Sequence, residues 1–200
     1  MITTIIFDIG NVLVGFDWKQ YLESFGFSDD VTRRISEATV LSSQWNKFDQ
    51  GVMEDEEILR LFIENDPKIE TEIRQIFADI HDLLTPRDYA VPWVKELKQK
   101  GYRVLYLSNF SRKAEVECAH TLKFLQYMDG GVMSYRFKQI KPQPEIYDTL
   151  IREYGLKPEE CVFLDDREDN CEAARKKGMQ AIVFTTREEA VAELAKLGVK

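Results

Sequence analysis

The chain is poor in cysteine, and the cysteines it has show no pairing pattern. There are three of them, Cys118, Cys161 and Cys171, and no CxxC spacing occurs. An odd count without close pairs argues against both a disulfide framework and a zinc ribbon. We predict three small, unbonded thiols that are buried or half-buried.

Long apolar runs are also missing. No stretch approaches the roughly 18 residues that a membrane crossing requires, and the short apolar run over 2–7 has no basic segment ahead of it. This pattern predicts a buried strand and not a signal peptide. We therefore expect a cytoplasmic protein with no membrane partner.

A basic run is absent as well, and the formal net charge is -8. Binding to nucleic acid without sequence preference depends on clustered positive charge. We therefore predict no nucleic-acid partner.

The 200 residues do contain enough apolar material for a core, with 44% hydrophobic and 12% aromatic residues. There is no internal repeat, low-complexity segment or Gly/Ser linker. Between about residues 17 and 86 the apolar spacing is helical, as in Trp18, Tyr21, Leu22 and Phe25. This segment predicts a bundle of about four helices with no strand.

After Pro86 the pattern alternates between helix and strand. We predict strands over 103–107, 130–134, 161–165 and 179–184, and helices over about 88–100, from 111, and over 144–154, 168–177 and 187–197. Strands separated by helices indicate a parallel sheet with right-handed crossovers. The prediction is an α/β core of residues 1–15 and 87–200 with a helical insertion of residues 16–86.

Polar residues follow the predicted strands where each one ends. Asp8 follows the first strand, Ser108 and Asn109 the second, and Asp165 and Asp166 the fourth. Lys141 lies in the loop before the fourth strand. Because ligands bind at the carboxyl ends of the strands in open parallel sheets, we expect these side chains to meet at one edge.

Four ordered motifs carry a resemblance to a known family. They are FDIGNVL (7–13), LSN (107–109), KP (141–142) and FLDD (163–166), the last continuing as REDN. Together they resemble the haloacid dehalogenase superfamily, specifically its phosphatases with a helical cap. The segment FDIGNVLVGFDW is similar to the branch of glucose-1-phosphate phosphatases and of the phosphatase-like domain of soluble epoxide hydrolases. The resemblance implies a Rossmann-like sheet and an inserted α-helical cap.

The resemblance also implies a role for each motif residue. Asp8 is the expected nucleophile, which attacks a small phosphorylated substrate to form an aspartyl-phosphate. Mg²⁺ is the expected cofactor, bound by Asp8, the backbone carbonyl of Gly10 and Asp166. Other motif residues are expected to support these groups, with Ser108, Asn109 and Lys141 at the phosphate and Asp165 and Asn170 beside the metal ligands.

One position departs from the family pattern. The family's phosphatases usually carry a second Asp two residues after the nucleophile, as acid and base, and here that position is Gly10. Three interpretations stay open. The chain is a phosphatase with a substitute acid or a good leaving group, a metal-independent 2-haloacid dehalogenase, or a binding or regulatory protein with weak or no catalysis. The dehalogenase interpretation leaves Asp165 and Asp166 unexplained.

Residues of the insertion could complete the site. Asp17 is a hypothetical substitute acid, and the competing interpretation makes it the N-cap of the helix that begins with Trp18. Substrate-contact candidates in the cap are Trp18, Trp45, Phe48 and His81. Apolar residues at helical spacing are usually packing residues, so most of these candidates are expected to be core.

Overall fold

The chain builds one parallel sheet around its first strand. The computed structural model describes all residues, Met1–Lys200. The strands are β1 (Thr4–Phe7), β2 (Val14–Phe16), β3 (Leu84–Pro86), β4 (Arg103–Ser108), β5 (Gly130–Met133), β6 (Cys161–Asp165) and β7 (Gln180–Val183). Five of them pair in the order β5-β4-β1-β6-β7, all parallel. The predicted parallel sheet is therefore confirmed.

Eleven α-helices accompany the strands. They are α1 (Trp18–Glu23), α2 (Asp29–Ala38), α3 (Ser43–Gln50), α4 (Asp55–Asn65), α5 (Glu70–Ala78), α6 (Ala90–Gln99), α7 (Arg112–Glu117), α8 (Ser134–Phe137), α9 (Pro144–Tyr154), α10 (Glu168–Lys176) and α11 (Arg187–Lys196). Helices α6, α9, α10 and α11 match the predicted spans to within two residues. None of the helices combines the length and the apolarity that a membrane crossing requires.

Two details of the insertion differ from the prediction. It holds five α-helices where about four were expected, since short breaks at Gly26 and Gly51 divide the pattern. The prediction of no strand before Pro86 was wrong, because β3 pairs antiparallel with β2. Strands of three residues are too short for apolar alternation to reveal them. This pair lies where the chain leaves the sheet for α1–α5 and returns from them.

Successive strand residues point to opposite faces of the sheet, and other elements pack on both faces. Ile6 packs with Ile146 and Leu150 of α9 in one cluster. Ile5 and Phe7 belong to a larger cluster that continues into α1–α5. The ring of Phe7 meets that of Trp93 in α6 edge-on, with centroids 4.8 Å apart.

The three cysteines are buried and unbonded, as predicted. Burial raises the pKa of the Cys118 thiol and of the Cys161 thiol to about 11. The pKa of Cys171 is raised for the same reason, to about 12. These thiols therefore stay protonated near neutral pH and behave as small core residues.

Candidate active site

The carboxyl ends of β1, β4 and β6 bring polar side chains together. Phe7 is in register with Tyr106 of β4 and with Leu164 of β6. The residues that follow, Asp8 after β1 and Asp165 at the end of β6, therefore lie side by side at the same edge. Both carboxylates are buried, as is Ser108 at the end of β4.

Asp8 is held through only one of its carboxylate oxygens. Its Oδ1 accepts hydrogen bonds from the backbone N–H of Ile9 and from the hydroxyl of Ser108, both at 2.7 Å. The Nζ of Lys141 lies 2.9 Å from the same oxygen. No protein group bonds Oδ2, so this oxygen is free to meet a reactant or an ion.

Lys141 links two carboxylates of the cluster. Its buried ammonium group donates to Oδ2 of Asp165 at 2.6 Å and also contacts Asp8. The side chain of Asn109 fixes the Lys141 backbone, since Oδ1 accepts from the Lys141 N–H at 2.8 Å and Nδ2 donates to the Lys141 carbonyl at 3.0 Å. The predicted phosphate contact from Asn109 thus has to come from the second Nδ2 hydrogen or from its backbone.

Burial controls the protonation of this cluster. Desolvation raises the pKa of Asp8 to about 7, although Lys141 opposes the shift, while Asp165 adds to it. Burial alone would lower the pKa of Lys141, but Asp165 and Asp8 outweigh it and hold that pKa above its usual range. The pKa of Asp166 is raised by burial. One lysine charge does not neutralise three carboxylates, so the cluster favours a further cation.

Asp8, Asp165 and Asp166 together form a group suited to a hard metal ion. Each offers a carboxylate oxygen, and these oxygens lie within 4.8 Å of one another. Asp165 is saturated, since it also accepts from the N–H of Arg167 at 2.9 Å and from the amide of Asn170. Asp166 accepts a single bond, from Nδ2 of Asn11 at 2.9 Å.

Asn170 has an unusual environment. Its Nδ2 donates to both oxygens of Asp165, at 2.9 and 3.1 Å. Its Oδ1 is buried and has no hydrogen-bond partner in the protein. A buried polar atom of this kind needs a partner such as an ion-bound water. The carboxylates of Asp8 and Asp166, with this orphaned oxygen beside them, therefore fit Mg²⁺ and its bound waters.

A cavity of about 380 Å³ opens above these residues, a size typical of small-molecule sites. Its lining comes from the sheet edge and from the insertion. The lining residues are Asp8, Gly10, Asn11, Phe16, Val40, Ser42, Trp45, Asn46, Asp49, Leu83, Leu84, Asn109, Phe110, Ser111, Ala114, Lys141, Asp166, Arg167 and Asn170.

Two residues predicted for the site, Ser108 and Asp17, do not line the cavity. Ser108 touches Asp8 but does not line the cavity. Asp17 accepts a hydrogen bond from Thr85 and lines a separate depression with Gln20 and Tyr21. Asp17 also makes no side-chain bond to the start of α1, although it holds the N-cap position. The structure therefore places Asp17 at the N-cap position, as the competing interpretation had it, but without a side-chain cap bond and outside the cavity.

The four substrate-contact candidates of the insertion differ in whether they reach the cavity. Of the four, only Trp45 lines the cavity. Phe48 is buried in the core, Trp18 packs partly buried against it, and the ring of His81 stacks on His120 at 4.0 Å. Trp18, Phe48 and His81 thus lie outside the cavity, in line with the expectation that most of these candidates are packing residues.

Sequence reasoning missed several polar residues of the cavity, among them Asn11 and Asp49. Asn11 joins the loops after β1 and β6 and adopts a left-handed backbone, with φ of 56°. Its signal was present, because Asn tolerates this conformation and stands directly in the FDIGNVL motif. Asp49 on α3 also lines the cavity, and nothing in its local sequence distinguishes it from a surface acid.

The geometry at the sheet edge agrees with a match to a family model. Residues 2–178 match the model of haloacid dehalogenase-like hydrolases. The chain belongs to this family. The membership expected from the four motifs is thus confirmed, and the protein is a hydrolase of the haloacid dehalogenase-like type.

Curated relatives of this haloacid dehalogenase-like hydrolase include named phosphatases. It is 26% identical to "Phosphatase MT3486" of Mycobacterium tuberculosis, over 98% of this chain and 95% of the relative. It is also 26% identical to "D-ribitol-5-phosphate phosphatase" of Bacteroides thetaiotaomicron, over 90% of each chain.

Solved structures share the fold. The family enzyme bt-2542 of Bacteroides thetaiotaomicron, a variant in complex with magnesium and inorganic phosphate, superposes with a TM-score of 0.76 at 22% identity. The alignment covers 94% of this chain and 96% of that one. An L-2-haloacid dehalogenase from Xanthobacter autotrophicus reaches 0.67 at 16% identity, over 100% of this chain and 85% of that one. At these identities the likeness concerns the fold.

Proposed function

We propose that this protein is a magnesium-dependent phosphatase that uses Asp8 to attack a small phosphorylated metabolite. The main observation behind the proposal is the charged cluster at the cavity. Lys141 contacts both Asp8 and Asp165, and Asp166 lines the same cavity as Asp8 and Lys141. An attack on an anionic phosphate requires charge neutralisation and positioning. Lys141 and a cation held by the carboxylates would supply both. The named phosphatases among the relatives support this choice.

The unbonded oxygen of Asp8 is suited to nucleophilic attack. Ile9 and Ser108 each bond Oδ1 at 2.7 Å, so the side chain is already fixed while Oδ2 stays free for the attack. Its attack on phosphorus would form an aspartyl-phosphate and divide the hydrolysis into two steps. Lys141 would stabilise the charge on the transferring phosphoryl group.

The residues proposed to hold Mg²⁺ are Asp8, Asp166 and the backbone carbonyl of Gly10. When bound, the ion would neutralise the phosphate oxygens and Asp8 at once. Asp165 has all its acceptor positions occupied by Lys141, Asn170 and Arg167. It would therefore orient its neighbours, while Asn11 holds Asp166 in place.

We propose that residues 16–86 act as the cap that selects the substrate. The cavity side supplied by this segment combines apolar groups, such as Trp45 and Leu84, with the polar groups of Ser42 and Asn46. This mixture suits a compact metabolite with hydroxyl groups, such as a sugar phosphate. The relative that acts on D-ribitol 5-phosphate supports this substrate class.

Hydrolysis of p-nitrophenyl phosphate with Mg²⁺, with EDTA, and with Mg²⁺ restored tests the proposal. We expect turnover that EDTA abolishes reversibly, followed by selective hydrolysis within a panel of phosphorylated metabolites. A parallel assay with 2-chloropropionate measures halide release. Halide release without metal would replace the phosphatase by a dehalogenase, and inactivity in both assays would favour a binding protein.

A further inference from the structure

Asp49 takes no part in the cluster around Lys141. It lines the same cavity as Asp8 and lies near the C-terminal end of α3. Its carboxylate makes no hydrogen bond and no ion pair with the protein, whereas Asp8, Asp165 and Asp166 all do. Asp49 is thus a half-buried acid at the cavity whose carboxylate has no hydrogen-bond or ion-pair partner in the protein.

The backbone at Asp49 is tied to the sheet domain. The hydroxyl of Ser134 donates to the Asp49 carbonyl and accepts at 2.8 Å from the N–H of Phe110, which follows the Ser108-Asn109 motif. The next residue, Gln50, donates from Nε2 to the carbonyl of Lys138 at 2.8 Å. These bonds fix the end of α3 relative to the loop beside Asp8.

The loop after Asp8 has no acid of its own. A Cβ placed on Gly10 would meet nothing within 4 Å, so the space beside Asp8 is open on that side. The other proton carriers of the cavity are already engaged. Lys141 is shared by two carboxylates, Asp166 accepts from Asn11, and neither histidine lines the cavity.

The environment of Asp49 favours the protonated form of its carboxyl group. Burial raises its pKa to about 7, and the charge of Asp8 adds to the shift, while Lys141 partly opposes it. A general acid works best when its pKa is near the operating pH, because it is then both protonated in part and able to release the proton.

We propose that Asp49 is the general acid of this enzyme, supplied from α3 in place of a side chain at Gly10. The inference rests on the proposed phosphatase function. In the first step Oδ2 of Asp8 bonds to phosphorus, the bond from phosphorus to the ester oxygen breaks, and Asp49 gives its proton to that oxygen. The products are the free alcohol, the aspartyl-phosphate and an ionised Asp49.

The second step restores both groups. The ionised Asp49 takes a proton from a water molecule as the water oxygen bonds to phosphorus. The bond between phosphorus and Asp8 breaks, so inorganic phosphate leaves and Asp8 regains its carboxylate. Asp49 ends protonated, as it began, and no further reactant is needed.

The test compares leaving groups in a single turnover. Asp49→Asn keeps the size of the side chain but carries no proton for transfer. With an alkyl phosphate, the first-turnover release of alcohol should fall about 10²–10⁴-fold, the usual contribution of general acid catalysis. With p-nitrophenyl phosphate, whose leaving group needs no proton, it should change by less than about threefold. The aspartyl-phosphate should then accumulate, because the second step lacks its base.

Two further variants sharpen the test. Asp17→Asn is the matched control, since its carboxylate lies outside the cavity, and it should leave both rates unchanged. The double variant Gly10→Asp with Asp49→Asn should release the alcohol of an alkyl phosphate at least about tenfold faster than Asp49→Asn alone. The open space at Gly10 accepts the new acid.

The outcomes separate this inference from the proposed function. An Asp49→Asn protein that loses both first-turnover rates equally, or neither, overturns the acid role while the phosphatase stands. A leaving-group effect in Asp17→Asn instead would transfer the role to Asp17. A wild-type protein that hydrolyses neither substrate with Mg²⁺ overturns the phosphatase and the acid together.

Discussion

The ammonium nitrogen of Lys141 lies 2.9 Å from the Oδ1 oxygen of Asp8 in a buried contact. The same nitrogen also reaches Asp165 at 2.6 Å, so a single cation serves two strand ends. Burying such charges costs free energy of desolvation, and we expect this cost to be offset by their role at the site.

Asp8→Asn should abolish turnover while the protein stays folded. The amide oxygen of Asn can accept the bonds that Ile9 and Ser108 now donate to Oδ1, but the amide is not a nucleophile. Mass spectrometry of acid-quenched enzyme should find a phosphorylated peptide with wild type and none with the variant. Wild-type turnover in Asp8→Asn would remove Asp8 from the role of nucleophile.

Lys141→Ala should lower both activity and stability. The rate should fall by about 10²–10³ because a preorganised stabilising charge is lost. The free energy of unfolding should fall by about 3–5 kcal/mol, since Asp165 keeps a buried charge without its partner. Urea unfolding and p-nitrophenyl phosphate hydrolysis measure the two effects.

Lys141→Arg provides the comparison for this position. It keeps the charge but replaces a compact ammonium group by a broad planar fork, so it should restore activity only in part. If Lys141→Ala loses less than about threefold in rate, Lys141 does not stabilise the reacting groups.

Asp166→Ala should weaken magnesium binding. Wild-type protein should gain thermal stability as Mg²⁺ is added, because a ligand that binds only the folded state stabilises it by mass action. Asp166→Ala should show little of this gain and little activity at millimolar Mg²⁺. Glu168→Ala, which removes an exposed carboxylate paired with Arg175, serves as control. Equal magnesium stabilisation of both variants would exclude Asp166 as a ligand.

Trp45→Ala should weaken substrate binding more than it slows chemistry. The ring lines the cavity, and its centroid lies 6.0 Å from the ring centroid of Phe16. For the preferred metabolite KM should rise about tenfold, which corresponds to ~1.4 kcal/mol of lost contact. Trp18→Ala removes a tryptophan outside the cavity and should leave KM unchanged. KM does not depend on the folded fraction, so this readout separates contact from stability. Equal KM values for the two variants would show that Trp45 only packs.

Local sequence pattern predicted the sheet well. The runs RVLYL and CVFLD are apolar throughout because parallel strands are buried on both faces, and the amphipathic helices between them have a clear period. Once the strands are known to be parallel, their carboxyl ends must share one edge. The meeting of Asp8, Ser108 and Asp165 therefore follows from topology and needs no detailed packing.

The contacts that the insertion makes could not be predicted from local sequence pattern. The antiparallel pair of β2 and β3 is too short to have a period, and its strands come from the two ends of the insertion. Asp17 is close to Asp8 in sequence, yet it bonds Thr85 and turns away from the cavity. Asp49 is far from Asp8 in sequence, yet it faces the same cavity.

The sequence by itself thus determined the parallel sheet, the buried cysteines and the motif residues at the sheet edge. These depend on the period of apolar residues and on the fixed direction of strand ends. Tertiary structure alone decided which insertion residues reach the cavity, because that depends on how α1–α5 pack on the sheet and its helices. For Asp49 the deciding contacts are the bonds of Ser134 and Lys138 at the end of α3, which join segments distant in the chain and leave no local pattern.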